Sequence, residues 1–364
     1  MRRKIQSLLS LVLLAGVFSV GLPCRAARAK SQQEQIDRLL AKCDCRTSPG
    51  CMVGVIQGGE LVFRKGYGMA DIDGAKAIDE ETLFDLATLS RHFTGAATAW
   101  LVDNGAARLT DNIRVTIPEM PRVDPPVTVE DLIYHTSGMP DYLVVWKKAG
   151  GGEVVDTLAM VDLLAEAEPQ FRPGSRFRQS RSDYLLLGFL AQRVVSVSLA
   201  EWARNVLFEP AGMEHSVFSD HPEKSPAHAV GYRRKLFAGY AKVTNPLPEI
   251  AGDVGLYTNI LDLAVWEKTL IEKKPNTPGF YDLLSRTGRT DDGQPIDYAF
   301  GLDVGTYRGL KVLSHHGLAN GFAAGMMRFP ERKLTVICLS NLESTKTEPL
   351  VKKVADLYLG QERQ

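Results

Sequence analysis

The chain has 364 residues, with 43 Lys and Arg against 43 Asp and Glu, and 45% of it is hydrophobic. That composition excludes a disordered, collagenous or coiled-coil chain, and the length is enough to bury a sizeable core in one large domain or two interleaved ones. The balanced charge supplies no field for a nucleic-acid partner.

At the N-terminus, Arg2, Arg3 and Lys4 precede an apolar run from Leu8 to Leu22, and Ala27-Arg28-Ala29 offers a small-x-small cleavage site. The pattern predicts a signal peptide over residues 1–29 and a secreted or periplasmic protein. The rival is an uncleaved anchor, the one way this sequence would engage a membrane, but the run is short for a ~20-residue span. Pro23 before Cys24 argues against a lipoprotein signal. Cleavage after Ala29 removes five basic residues and no acidic one, leaving 38 basic against 43 acidic in residues 30–364. Four cysteines remain there, Cys43, Cys45, Cys51 and Cys338. In an oxidising compartment two of the first three can close a small loop onto the first strand, in a pairing left open. Their C-x-C-x5-C spacing lacks a fourth ligand, so no metal site is expected. Cys338 lies in an apolar run and reads as a buried thiol.

In chain order, Ile36, Leu39 and Leu40 mark an amphipathic helix over 31–43. Cys51 to Ile56 and Glu60 to Lys65, separated by Gln57-Gly58-Gly59, predict a β-hairpin. Leu83 to Leu86 approaches a polar corner that opens an Ala-rich helix, Thr94 to Trp100. The middle of the chain is mostly helical, with helices over 129–135, 155–165, 183–197 and 199–207. After another helix over 262–271, short apolar runs at 300–304, 310–315, 321–329 and 333–339 predict successive antiparallel strands. Residues 348–359 close the chain as a helix. The class is therefore α+β, an α/β sandwich. One antiparallel sheet is built from the N-terminal hairpin and the C-terminal strands and flanked by helices (31–85 and 250–364), with a mostly helical region, 86–249, inserted. The cleft between the two parts is the place for a site.

Several phrases then resemble one family in its order. The corner Leu83 to Thr94, Asp131 to Tyr142, Phe171 to Gly188, Phe208 to Met213, Gly252 to Tyr257, and His315-His316-Gly317 with Asn320-Gly321-Phe322 are similar to the serine β-lactamase and penicillin-binding-protein superfamily. The nearest branch is that of class C β-lactamases, DD-peptidases and esterases. The resemblance implies a β-lactamase/transpeptidase-like fold, and three motifs that do not all survive. Thr88-Leu89-Ser90-Arg91 stands where the family has Ser-x-x-Lys, and Gln179-Ser180-Arg181 where it has Tyr-x-Asn. His315-His316-Gly317 matches the third motif.

Acylation needs an oxygen nucleophile and an acceptor for its proton. Thr88 keeps a hydroxyl, but its methyl restricts χ1 and crowds the attack path. Arg91 cannot act as a base, and Gln179 has no titratable group. His315 and His92 are the remaining candidate bases. Ser90, two residues on, should face away from Thr88 and serve structure. By resemblance the oxyanion donors would be the backbone N–H groups of Thr88 and Leu318, beside Gly317. Arg91 and Arg181 would make the cleft friendly to anions unless Asp85, Asp183 or Asp253 pairs with them. These readings predict a secreted relative of the family without its catalysis, needing no cofactor, that binds a peptide, a cell-wall fragment, another anionic ligand or a partner. The alternative is an atypical esterase, peptidase or β-lactamase using Thr88.

Overall fold

In the computed structural model of the chain, the described residues are 23–41, 43, 45–151, 156–219, 228–243, 250–274 and 278–360. The apolar run of the expected signal peptide lies outside them. The backbone of 23–29 begins a helix, α1 (Pro23–Leu40), which starts earlier than the apolar spacing at 36–40 predicts.

The N-terminal hairpin and the C-terminal meander form one antiparallel sheet, as expected. Numbering only its strands, these are β1 (Cys51–Gln57), β2 (Glu60–Tyr67), β3 (Tyr298–Ala299), β4 (Leu302–Tyr307), β5 (Leu310–Ala319), β6 (Phe322–Phe329) and β7 (Leu334–Ser340). Their order is β3-β4-β5-β6-β7-β1-β2. The chain ends thus meet at the centre, where β1 pairs β7 with Val53 opposite Cys338. Side chains alternate across a strand, so the sheet has two apolar faces. Cys51, Val53 and Val55 meet Ile36 and Leu40 of α1 and Val351 and Val354 of the C-terminal helix, α5 (Thr347–Leu359). Met52 and Ile56 face the larger core, with α2 (Ser90–Asp103), α3 (Arg181–Val195) and α4 (Ile260–Glu272).

Two details correct the sequence reading. The region 86–249 is less purely helical than expected. It contributes Val217–Phe218 to a three-stranded sheet with Phe84–Asp85 and Leu256–Thr258, and it carries a hairpin, Tyr232–Arg234 with Tyr240–Lys242. Backbone pairing across these short strands compensates for apolar runs too short to stand out. No disulfide closes the loop that two of the first three cysteines could make. All four are thiols, and that of Cys51 contacts those of both Cys43 and Cys338, whereas Cys45 meets the Thr47 hydroxyl. Cys338 joins the contact because strand register, not sequence distance, brings it to Cys51's face.

Candidate functional site

The corner is held by backbone pairing on its approach. Phe84 and Asp85 pair with Thr258 and Tyr257, and the Leu86 N–H donates to the Leu256 carbonyl. The Asp85 carboxylate accepts from the Ala87 N–H at 2.7 Å. Ala87 takes φ +50°, a left-handed conformation rare for a residue with a Cβ, so the chain is forced through a sharp turn immediately before Thr88. A 3-10 turn, Ala87–Leu89, then runs directly into α2, so the helix begins at Ser90 rather than near Thr94.

Strand β5 lies against this corner. Its pairing with β4 ends at Ser314, which leaves residues 315–319 with an edge that faces the turn. At Gly317 a Cβ would come within 2.9 Å of both the Thr88 and Leu89 backbone nitrogens, so only glycine allows this approach. Alternation along β5 sends His315 toward Thr88 and His316 to the other face, beside Thr347 of α5.

The Thr88 hydroxyl is 3.0 Å from His315 Nε2, and His315 Nδ1 is 2.8 Å from the Gly301 carbonyl. A carbonyl only accepts, so the network assigns the proton to Nδ1, and Nε2 accepts from the Thr88 hydroxyl. This is the tautomer a general base requires. Burial, and secondarily the Arg91 cation, lower the His315 pKa to about 3, with the Gly301 bond opposing. A carbonyl orients the ring, but it cannot offset an imidazolium charge as a carboxylate does.

Arg91 is buried and its guanidinium is locked. Nε and Nη2 both donate to Asp253 Oδ1, at 2.7 and 2.6 Å. Burial works against its charge, but the Asp253 carboxylate leaves its pKa above the ordinary value. Asp253 Oδ2 accepts from Tyr142 at 3.1 Å and Arg181 at 3.3 Å. Arg181 also lies 3.9 Å from Asp141. Two cations thus face two carboxylates. The pairing weighed in the sequence is realised by one acid shared between both arginines. Asp253 reaches them from a loop in which Gly252 has φ +115° and would, with a Cβ, meet the Tyr184 carbonyl at 2.6 Å. The Thr94 hydroxyl of α2 donates to the Gly252 carbonyl and fixes the same loop.

The other acids have separate tasks. Asp183 accepts from Ser137 and faces His135 Nδ1 at 2.6 Å, all within the buried core. Gln179 is exposed at the mouth, its amide 3.5 Å from Asp303. Leu318 follows Gly317 at the rim, 50% exposed, while Thr88 is only 8% exposed. Thr88, Arg91, Arg181, His315 and Gly317 therefore converge, with Gln179 and Leu318 at the edge. Ser90 faces away and accepts from the Leu256 N–H. His92 also points away, toward the Trp266 indole N–H at 3.1 Å. Tyr142 was not singled out from the sequence. It sits inside the Asp131–Tyr142 phrase, and nothing local marks it as a partner of Asp253.

The family's sequence profile, Beta-lactamase, matches residues 36–360. The chain belongs to the Beta-lactamase family. It is 26% identical over 296 residues to a D-aminopeptidase of Gluconobacter oxydans (strain 621H), covering 80% of this chain and 56% of that protein. It is 28% identical over 330 residues to penicillin-binding protein 4* of Bacillus subtilis (strain 168), covering 83% and 70%. The chain thus spans little more than half of the first relative. In three dimensions it resembles an octameric penicillin-binding protein homologue from Pyrococcus abyssi, with a TM-score of 0.75 at 24% identity, covering 93% of this chain and 78% of that one. The Beta-lactamase fold is thereby shared, and what happens in the cleft rests on the residues above.

Proposed function

We propose that this chain is a secreted Beta-lactamase-family protein that has lost fast acyl transfer and binds a peptide-like ligand in its cleft. The observation that carries this reading is the Arg91–Asp253 pair at the lysine position. A lysine there would be the proton acceptor. The guanidinium keeps its proton, and its Nε and Nη2 donate to Asp253. His315 is oriented to take the Thr88 proton, but with a pKa lowered to about 3 it has little affinity for one at neutral pH. Much of the ~10²–10⁴-fold that a matched base supplies is then out of reach. Compensation of Arg91 and Arg181 by Asp253 and Asp141 favours a peptide-like ligand over a strongly anionic one. A D-aminopeptidase among the relatives makes peptides bearing a D-residue, such as cell-wall fragments, the class to try first.

The second reading is a slow esterase or peptidase with Thr88 as nucleophile, favoured by the 3.0 Å contact to His315. Intact-mass measurement after incubation with a fluorescent penicillin and with an activated ester separates the two. The expected result is no covalent adduct, with saturable calorimetric binding of a D-Ala-D-Ala-terminated stem peptide that Arg181→Ala weakens. An adduct that disappears in Thr88→Ala would make the second reading correct.

A further inference from the structure

The Tyr232–Arg234 and Tyr240–Lys242 hairpin carries its most apolar residues at its tip. The Lys235 N–H closes the turn onto the Gly239 carbonyl, and between them Leu236 and Phe237 are 90% and 95% exposed. Residues 232–242 contain four cations and no acid. Those cations divide by position. At the base, Arg233 pairs with Glu343, and Lys242 with Asp71 and Asp73. The Tyr232 N–H also donates to the Asn341 carbonyl, so the base is fixed to the body. Next to the tip, Arg234 donates to the Ser344 hydroxyl and lies over the Tyr240 ring, and among the described residues no ion pair engages Arg234 or Lys235. The firm base thus presents an apolar tip beside two cations without acids.

A projecting tip buries poorly against another protein unless the partner supplies a matching concavity. A bilayer interface needs none, because headgroups part around inserted side chains. Apolar and aromatic side chains enter the acyl boundary there, and neighbouring cations stay at the phosphates. We propose that this hairpin docks the protein on an anionic phospholipid bilayer, with Leu236 and Phe237 in the interface and Arg234 and Lys235 on lipid phosphates. The proposal is independent of whether the cleft turns over a substrate, and it replaces the expectation that only an uncleaved N-terminal anchor would engage a membrane.

Hydrogen exchange of residues 235–239 in the full chain tests it, because the readout is local to the hairpin and unaffected by attachment through the apolar run at 8–22. Adding vesicles of phosphatidylcholine with phosphatidylglycerol should slow exchange there, and phosphatidylcholine alone should not. Raising the salt well above physiological strength should restore fast exchange. Leu236→Ser with Phe237→Ser should abolish the protection, and Lys235→Glu should reduce it. Since the tip is exposed, both variants should keep the wild-type melting temperature. Fast exchange on the anionic vesicles in the wild type overturns the proposal, as does protection that both variants retain. A dimer that the Leu236→Ser/Phe237→Ser variant converts to monomers would assign the tip to a second copy and overturn it too.

Discussion

Asp253 decides what the two arginines can do. It receives Arg91 on one oxygen, and Tyr142 with Arg181 on the other. Removing one partner of a buried pair leaves an uncompensated charge, which costs about 3–5 kcal/mol. Asp253→Ala should therefore lower stability by about that amount in urea denaturation, and a change below 1 kcal/mol would mean that Arg91 finds another partner. The same carboxylate bears on any lysine introduced beside it. A lysine placed at position 91 would be held protonated by Asp253, since a nearby opposite charge favours the charged form. The variant Thr88→Ser, Arg91→Lys, Gln179→Tyr, Arg181→Asn should therefore gain little esterase activity. Adding Asp253→Ala should raise its turnover of an activated ester at least ~10-fold, toward the range a general base supplies. Equal turnover in the two would show that lysine protonation is not what limits the site. That neither Arg91 nor Gln179 can accept a proton was readable from the residues themselves. The neutralisation of the arginines was not, because Asp253 lies 162 positions from Arg91 in sequence.

At the scale of elements, the site depends on how closely β5 approaches the Ala87–Leu89 turn. Gly317→Ala would place a methyl 2.9 Å from two backbone nitrogens, which cannot give way as a flexible side chain does. The strand must then shift, at about 1–3 kcal/mol. The Thr88–His315 contact should lengthen with it, visible as a changed His315 imidazole shift in NMR. An unchanged shift and stability would mean that the turn is softer than its packing indicates. The long elements were legible from apolar spacing, with ends displaced by a few residues. The helix at 183–197 begins at Arg181, where the Ser180 hydroxyl caps it, and the strand at 310–315 extends to Ala319. Strands of two or three residues, such as Val217–Phe218, were not legible, because partners elsewhere in the chain define them.

Across the whole molecule, burial keeps several histidines neutral. Desolvation is the first cause for His92, with Arg328 adding to it, and for His315, with Arg91. His316 is lowered as well. Their folded pKa values lie below the unfolded value of ~6.5, so below that pH the unfolded chain binds protons that the folded chain does not. Stability should therefore be complete above about pH 7 and fall as the pH drops toward 3. The slope is about 1.4 kcal/mol per pH unit for each of the two fully buried rings, His92 and His315, and smaller for the partly exposed His316. The His135–Asp183 pair adds little, because burial lowers the first and raises the second, and their proton counts offset. Urea midpoints at pH 7.5 and 5.5 should differ accordingly, and His315→Asn should flatten the dependence by about one proton. Equal midpoints would show that these rings take up protons in the folded state.

Read alone, the sequence supplied the architecture and the side-chain chemistry available at Thr88, Arg91, Gln179 and His315. Apolar periodicity is local, and an arginine or a glutamine cannot act as a base wherever it sits. How those side chains are paired and aimed came from the folded structure. The register of β5 aims His315, and not His316, at Thr88. The close packing of the Gly252 loop on α3 brings one carboxylate to two guanidinium groups. Both are contacts between distant segments, fixed by sheet pairing and backbone approach, and no local pattern encodes them.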